Sequence, residues 1–191
     1  MKRKIISLFV KIGISPNSLT LIGLGLGVFS CLSFILTKNW LLFIILLSLS
    51  VCFDFLDGGV ARASNKVTKF GSYLDAISDR VLDGLILITT AYITGYWMLC
   101  SLLMLLTLSV SYAKARAALE VPILNTEWPD LMQRPQRIIF IIIGLSANQI
   151  IPFLIGGQDI LFWTLFSMNG LVGFTLLQRI YRAYIIIKER S

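Results

Sequence analysis

The sequence indicates an all-α integral membrane protein with six transmembrane helices and a short N-terminal amphipathic interfacial helix. Of the 191 residues, 57% are hydrophobic and only 14% are charged, a composition typical of a polytopic membrane protein rather than a soluble domain. Apolar segments alternate with short polar ones, and each apolar segment reaches the length of about 20 residues that a helix needs to cross a bilayer. We expect one membrane domain, residues 1–191, with no additional soluble domain.

The predicted helices follow one another from the N-terminus. Residues 1–14 place four apolar side chains on one side of a helix with Lys4 and Lys11 off it, which is typical of a helix that lies at the membrane interface. Ser15 and Pro16 then end this helix and begin the next one. Six transmembrane helices are predicted within residues 18–184, at 18–37, 40–62, 72–96, 97–119, 137–155 and 159–184.

Two groups of glycines have structural explanations. Gly23, Gly25 and Gly27 lie inside the first predicted span, where small residues are expected to permit close packing of helices. Gly156 and Gly157 precede the last predicted span and indicate a turn.

Lysine and arginine residues predict the orientation of the chain. Sixteen of the 17 basic residues lie on one side of the predicted bundle, and only Lys38 lies on the other. Since basic residues concentrate on the cytoplasmic side of membrane proteins, we expect a cell-membrane protein with both termini in the cytoplasm. The net charge of +7 is then explained by this bias and by anionic lipid headgroups, and no nucleic-acid partner is expected.

Cysteine and histidine contribute little to the predicted chemistry. Cys31, Cys52 and Cys100 occur singly inside apolar segments, so we expect small buried side chains and neither disulfides nor a zinc site. The chain has no histidine, and a general base would therefore have to be a carboxylate.

Four carboxylates lie within 26 residues between two apolar segments: Asp54, Asp57, Asp75 and Asp79. Ionisable groups inside a membrane are costly and indicate a functional site. On a helix the first two share a face with Gly58 and Ala61, and the last two form a stripe with Gly71. Two antiparallel helices would bring all four carboxylates together, and their oxygen atoms suit hard cations such as Mg²⁺, Mn²⁺ or Ca²⁺ rather than zinc or copper. Because Mg²⁺ sites usually include substrate phosphates, a phosphate-bearing substrate is expected.

The motif D-x2-D-G-x2-A-R-x8-G-x3-D-x3-D, from Asp54 to Asp79, resembles the signature of the CDP-alcohol phosphotransferase (CDP-alcohol phosphatidyltransferase) family at every fixed position. The resemblance implies an integral membrane enzyme that transfers a group from a CDP-linked alcohol to the hydroxyl of a second alcohol and releases CMP. It also implies a site with two Mg²⁺ ions, for which Mn²⁺ could substitute, and a homodimer.

The resemblance implies a role for each motif residue. Asp54, Asp57 and Asp75 would be metal ligands, while Asp79 would be a ligand of the second metal and the catalytic general base. The residues implied to contact the CDP group are Asn17, Asp54, Asp57, Gly58, Ala61, Arg62, Gly71 and Asp75. For Asn17, the alternative is a purely structural role in the first turn of a helix.

Five basic residues near the ends of the last three predicted spans are candidates to bind a phosphorylated acceptor: Lys114, Arg116, Arg134, Arg137 and Arg179. Guanidinium groups hold phosphate in a fork, although charge bias at the membrane surface is the alternative explanation. The segments Y-x-K-A-R-A, R-P-x-R and Q-R resemble those of the phosphatidylinositol-phosphate and archaetidylinositol-phosphate synthases. This chain departs from that subgroup at Gln133 and Gln136, where the subgroup has glutamates.

The expected function is therefore transfer of a diacylglycerol-type or archaeol-type phosphoryl group from a CDP-lipid to L-myo-inositol phosphate. Glycerol 3-phosphate is the alternative acceptor. A divalent-cation transporter is the alternative from a different class, but a pore gives no reason for Gly58, Ala61 and Gly71 to stand at fixed spacing among the carboxylates. A non-catalytic membrane scaffold would have no need of four acids in the membrane.

Overall fold

The computed structural model describes residues 2–123, 128, 130–151 and 154–190, and side chains within the first helix from residue 6 onward. The described residues form seven helices: α1 (Lys2–Ile12), α2 (Pro16–Thr37), α3 (Trp40–Ala63), α4 (Lys69–Thr94), α5 (Trp97–Glu120), α6 (Arg134–Ile150) and α7 (Ile160–Arg190). Contacts divide the chain into two compact units, Met1–Thr89 and Thr90–Ser191. The boundary between the units falls within α4.

Four of the described helices are long and apolar enough to cross a membrane, namely α2, α3, α5 and α7. Large apolar side chains such as Leu36 and Leu105 are exposed on these helices, as expected of surfaces that face lipid. The chain is therefore a multi-pass, all-α membrane protein. The predicted third span corresponds to α4 and the predicted fifth span to the 17-residue α6, while residues 152 and 153 of the fifth lie outside the described residues. The count of six spans stays a prediction.

In the first unit, a two-residue turn connects α2 to α3. Lys38 ends α2 in the left-handed conformation, with φ of 53°, and its N–H donates to the Phe34 carbonyl at 2.8 Å. Asn39 begins α3, since its side-chain oxygen accepts a hydrogen bond from the Leu42 N–H at 3.1 Å. Caps of this kind satisfy backbone groups that a helix end would otherwise leave without partners. The short turn fixes the register between the two helices.

Hydroxyl groups of buried side chains connect α2 to α3 along the length of their interface. The three hydrogen bonds run from Thr20 to the Asp57 carboxylate at 2.5 Å, from Ser50 to the Gly23 carbonyl at 2.6 Å, and from Ser30 to the Phe43 carbonyl at 3.0 Å. A buried hydroxyl without a partner would be destabilising, and lipid offers none. These bonds therefore keep α2 and α3 close to each other and provide each buried hydroxyl with a hydrogen-bond partner.

Two of the three glycines in α2 explain how closely α2 approaches its neighbouring helices. A Cβ atom on Gly23 would lie 3.4 Å from the Phe53 Cβ, and a Cβ atom on Gly27 would overlap the Leu82 side chain of α4. Gly25 is exposed and a Cβ atom there would have nothing within 4 Å. The predicted role in close packing therefore holds for Gly23 and Gly27 and is wrong for Gly25, which faces away from the interface.

In the second unit, α7 packs against both α5 and α6. The Asn169 amide of α7 donates to the Leu99 carbonyl of α5 at 3.1 Å. A Cβ atom on Gly144 of α6 would lie 2.5 Å from the Thr164 Cγ2, so the glycine permits close approach to α7. These contacts make α7 the central helix of this unit.

The turn predicted at Gly156 and Gly157 is confirmed. Both glycines have positive φ angles, 60° and 79°, a conformation that residues with a Cβ atom adopt only with strain. The backbone groups of Ile155 and Gln158 exchange two hydrogen bonds of 2.9 and 3.1 Å around them.

All three thiols are free. Cys31 and Cys100 are buried as predicted, whereas Cys52 is exposed. The prediction is wrong for Cys52 because its apolar surroundings in the sequence belong to the lipid-facing side of α3 rather than to a protein core.

Replacing Gly27 by Leu should destabilise the protein, because the new side chain would overlap Leu82 and press on Ser50. Overpacking of a close interface typically costs about 1–3 kcal/mol, and we expect a lower midpoint of thermal unfolding in detergent. Gly25→Leu is the matched control, since it makes the same gain in helix propensity at an exposed position. Equal midpoints for the two variants would show that close packing at Gly27 does not contribute to stability.

Candidate functional site

Three carboxylates converge in the first unit. Asp54 and Asp57 of α3 and Asp75 of α4 each offer an oxygen atom, and these three atoms lie within 4.8 Å of one another. Asp57 is buried and the other two are half-buried. Negative charges at this separation repel one another strongly where water is scarce, so the arrangement favours a bound cation. The predicted convergence of α3 and α4 is thus observed for these three residues, hereafter the aspartate trio.

The chemistry of the aspartate trio fits a divalent cation. All donor atoms are carboxylate oxygens, which suit hard ions such as Mg²⁺ or Mn²⁺. Asp57 is oriented from two sides, because Thr20 donates to one of its oxygens at 2.5 Å and the Gly58 N–H donates to the other. Hydrogen bonds from outside a metal site position its ligands in this way, and each oxygen keeps a further lone pair for a metal ion.

Asp79 lies one helical turn beyond Asp75. In the described part of the chain it is not among the carboxylates that lie mutually within 4.8 Å. Its Oδ2 lies 3.7 Å from the Arg80 Nη1, and its side chain is 14% exposed. Its predicted roles as ligand of a second metal and as base stay predictions.

A cleft of about 290 Å³ opens beside the aspartate trio. Seven of the eight residues predicted to contact a CDP group line this cleft: Asn17, Asp57, Gly58, Ala61, Arg62, Gly71 and Asp75. The eighth, Asp54, is placed in the aspartate trio but outside this lining. The cleft thus gathers residues from α2, α3 and α4 that are far apart in the sequence.

The two motif glycines in the cleft have different surroundings. A Cβ atom on Gly71 would lie 2.9 Å from the Asn17 Oδ1 and 3.0 Å from the Thr68 Oγ1, so glycine is needed for α4 to approach the start of α2. A Cβ atom on Gly58 would lie 3.5 Å from the Arg62 Nη1, an ordinary contact. Glycine at 58 therefore leaves open space beneath the Arg62 guanidinium.

Sequence reasoning missed six residues that line the cleft: Pro16, Thr20, Lys66, Val67, Thr68 and Ser72. Thr20 follows Asn17 by three residues on the same helix, a spacing that could have indicated it. Lys66 and Thr68 fall in the eight-residue spacer of the motif, where residue identity carried no signal. Thr68 has a structural role as well, because its Oγ1 accepts the Gly71 N–H at 3.0 Å and begins α4.

The five candidate acceptor-binding residues all belong to the second unit. Arg137 and Arg179 are buried, Lys114 and Arg134 are half-buried, and Arg116 is exposed. Arg116 forms an ion pair with Glu120 one turn away, and the Arg137 Nη1 donates to the Met132 carbonyl at 3.2 Å.

Arg179 has a partner that the sequence did not reveal. Its Nε and Nη2 donate to the two carboxylate oxygens of Asp130, both at 2.6 Å, and its Nη1 donates to the Val110 carbonyl. The Trp128 ring lies over the guanidinium, with 6.0 Å between the Arg179 Cζ and the ring centroid. Asp130 precedes Arg179 by 49 residues, so no local spacing could have paired them.

Comparison with known proteins identifies relatives of this chain. The sequence model of the CDP-alcohol phosphatidyltransferase family matches residues 13–174. The phosphatidylinositol phosphate synthase of Corynebacterium glutamicum is 32% identical over 185 residues, which cover 92% of this chain and 80% of that protein. The archaetidylinositol phosphate synthase of Pyrococcus horikoshii is 35% identical over 176 residues, which cover 90% of this chain and 85% of that protein.

Solved structures with the same fold are also found. The Mycobacterium tuberculosis phosphatidylinositol phosphate synthase with CDP-DAG bound has a TM-score of 0.80 and 23% identity, and the match covers 96% of this chain and 94% of that one. The same protein in complex with manganese and citrate also has a TM-score of 0.80, with 22% identity and coverage of 96% and 89%.

Replacing Thr20 by Val should weaken binding of a divalent cation, because Asp57 would lose the hydrogen bond that orients it. Loss of such an outer contact typically lowers metal affinity by about 10–100-fold. The dissociation constant for Mn²⁺ is measurable by electron paramagnetic resonance of the free ion, without any need for turnover. Thr20→Ser retains the hydroxyl and is the matched control. Equal Mn²⁺ affinity in the Val and Ser variants would show that Thr20 does not position Asp57.

Proposed function

The chain belongs to the CDP-alcohol phosphatidyltransferase family, and we propose that it transfers the phosphatidyl-type group of a CDP-lipid to L-myo-inositol phosphate and releases CMP. The observation that carries the proposal is the aspartate trio beside a cleft lined by the other motif residues. The names of the relatives support inositol phosphate as the acceptor. They include a phosphatidyl and an archaetidyl enzyme, so the lipid is of the diacylglycerol or the archaeol type.

The aspartates provide the cation site of this reaction. We assign two Mg²⁺ ions, replaceable by Mn²⁺, to Asp54, Asp57 and Asp75, with Asp79 as a further ligand. When bound, such ions neutralise the pyrophosphate and stabilise the charge that develops on the departing CMP. The manganese complex of the M. tuberculosis enzyme supports this class of ion. The donor set of the trio supports it independently.

The cleft would hold the CDP group. Gly58 and Ala61 leave width for the nucleotide, while Arg62 and Lys66 bring positive charge to the same cleft. The Asn17 side chain also lines it, next to Gly71, and can hydrogen-bond to the nucleotide. The M. tuberculosis structure with CDP-DAG bound supports this assignment. Phosphoryl transfer requires mainly positioning and charge stabilisation, which these residues supply.

A carboxylate would take the proton from the attacking hydroxyl, because the chain has no histidine. We assign this role to Asp79. It follows Asp75 by one helical turn and lies outside the aspartate trio, and we assign one of its oxygens to the second cation and the other to the proton of the attacking hydroxyl. A base must lie within hydrogen-bond reach of the proton that it removes, and the position of Asp79 one helical turn after Asp75 supports this assignment.

The acceptor's phosphate would be bound by basic residues of the second unit: Lys114, Arg116, Arg134, Arg137 and Arg179. Arg137 and Arg179 are buried, and contacts between opposite charges are less screened where water is excluded. Glycerol 3-phosphate would use the same charges, and a panel of acceptors distinguishes it from inositol phosphate.

We propose that the whole chain acts as one membrane domain with six spans, of which α4 and α6 are the two added to the four apolar helices. The family match extends over both compact units, which supports a single domain. The distribution of basic residues supports a cytoplasmic site and cytoplasmic termini in the cell membrane. Helix α1 would lie at the interface and pack on α3, where a Cβ atom on Gly59 would lie 2.8 Å from the Ile6 Cδ1. A homodimer is proposed from the family alone.

Replacing Asp75 by Asn should abolish CMP release, because the trio would lose one ligand and one negative charge. In purified protein with a CDP-lipid, inositol phosphate and Mg²⁺, we expect turnover to fall by at least roughly a hundredfold, about 2.7 kcal/mol of transition-state stabilisation. The Mg²⁺-dependent rise in the unfolding midpoint should disappear as well. Glu189→Gln makes the same change of charge at an exposed site near the end of α7 and is the control. Full activity of Asp75→Asn in saturating Mg²⁺ would exclude the two-metal mechanism.

Replacing Lys114 by Ala should raise the Michaelis constant for inositol phosphate and leave that for the CDP-lipid nearly unchanged. A lost charge-assisted contact costs about 1.5–3 kcal/mol, or roughly ten- to a hundredfold. Lys188→Ala, at the exposed end of α7, is the control. Steady-state kinetics with inositol phosphate, inositol, glycerol 3-phosphate and serine complete the test. A preference for inositol or serine would contradict the proposed acceptor and leave the transfer reaction intact.

A further inference from the structure

Asp130 binds Arg179 in the geometry that a phosphate would adopt. Two parallel N–H groups of the guanidinium donate to two oxygens of one anion, each at 2.6 Å. The pair is almost fully enclosed, with the Arg179 side chain 8% exposed and the Asp130 side chain 5% exposed. The same fork is the preferred arrangement for phosphate oxygens. Asp130 thus occupies the anion position of a residue that we assign to the acceptor's phosphate.

The segment 130–132 also binds Arg137, a second residue that we assign to the acceptor's phosphate. The Met132 carbonyl accepts a hydrogen bond from the Arg137 Nη1 at 3.2 Å, and the Met132 N–H donates to the Thr175 Oγ1 at 3.2 Å. Two buried guanidinium groups from two helices, α6 and α7, are therefore bound by two residues of one short segment, Asp130 and Met132. In the contacts with Arg137 and Arg179 the guanidinium groups are the donors, so the oxygens of an incoming anion can accept the same hydrogen bonds.

Arg179 would stay in place if Asp130 left. Its Nη1 donates to the Val110 carbonyl of α5, a contact that does not involve the 130–132 segment. A buried guanidinium without an anion is unfavourable by several kcal/mol, so a second anion would take the vacated position. A phosphate carries more negative charge than a carboxylate at neutral pH, about −1.5 to −2, and can displace it; a neutral alcohol cannot.

We propose that Asp130 is an internal competitor for the acceptor's phosphate. In the resting protein its carboxylate binds Arg179, and a phosphorylated acceptor binds by displacing it. Asp130 then determines specificity, because an acceptor without a phosphate leaves the ion pair closed. This inference rests on the proposed function in one respect only, the assignment of Arg179 to the acceptor.

Asp130→Gly tests the competition without turnover. Inorganic phosphate is titrated against the purified protein, and binding is measured from the rise in the unfolding midpoint. We expect the dissociation constant for phosphate to fall roughly ten- to a hundredfold relative to the native chain, the range of one charge-assisted contact. Glu189→Gly removes an exposed carboxylate near the end of α7, away from the residues assigned to the acceptor, and should change phosphate binding little.

Removing Asp130 leaves the buried Arg179 guanidinium without its anion, which can prevent folding. Adding phosphate to the variant then distinguishes a competitor for phosphate from a residue with a purely structural role. Recovery of the folded Asp130→Gly protein with phosphate supports the proposal. A variant that stays unfolded with phosphate, or that binds phosphate no better than the native chain, overturns it.

Trp128 supplies a second measurement on the chain with Asp130 intact. Its ring is buried over Arg179, so displacement of Asp130 by inositol phosphate should change its fluorescence, whereas inositol should not. The change should be absent in Trp128→Phe. An unchanged Trp128 signal while inositol phosphate supports CMP release would overturn the proposal and leave the proposed function standing. Failure of CMP release with every acceptor, with the phosphate-binding difference intact, would count against the proposed function alone.

Discussion

The hydrogen bond between the Thr20 hydroxyl and the Asp57 carboxylate connects the packing of α2 and α3 to the candidate metal centre. It can form because Gly23 and Gly27 permit the two helices to approach closely and because the turn at Lys38 and Asn39 fixes their register. A buried carboxylate needs such a donor, since lipid and protein interior offer no water in exchange. The cation site therefore depends on the packing of α2 against α3 along their whole interface. Its ligands are carried by helices, which are more rigid than loops.

The aspartate trio and the buried arginines of the second unit are two clusters of charge, and different interactions hold each of them in place. Helical spacing and hydrogen bonds place the aspartates, whose mutual repulsion is relieved by a cation. The buried arginines of the second unit are held by an internal anion and by backbone carbonyls. One cluster is thus suited to bind positive charge and the other to bind negative charge. A reaction between two phosphate-bearing substrates requires both, because a pyrophosphate and a phosphate repel each other unless the protein and its ions compensate their charges.

The sequence predicted most of the helices and the aspartate trio, for identifiable reasons. The ends of α2, α3 and α5 agree with the predicted spans to within two residues, because long apolar segments end abruptly at polar residues there. The starts of α4 and α6 come three residues earlier than predicted, and α7 continues six residues further, because polar residues extend these helices beyond their apolar parts. At α4 the Thr68 side chain caps the start of the helix. Asp54 and Asp57 share a face by local spacing. The partners of Thr20 and Arg179 lie 37 and 49 residues away, and only tertiary structure reveals them.

The Arg179 ion pair also bears on how the protein is made. α7 is synthesised after the segment that contains Asp130, and its Arg179 is a cation that is costly to insert into a bilayer without a partner. Asp130 is synthesised 49 residues earlier, so its carboxylate has left the ribosome when Arg179 emerges. If the two side chains pair while α7 enters the membrane, the entering helix carries less net charge. The order of residues along the chain thus allows the translocon to release α7 into lipid with its arginine already neutralised.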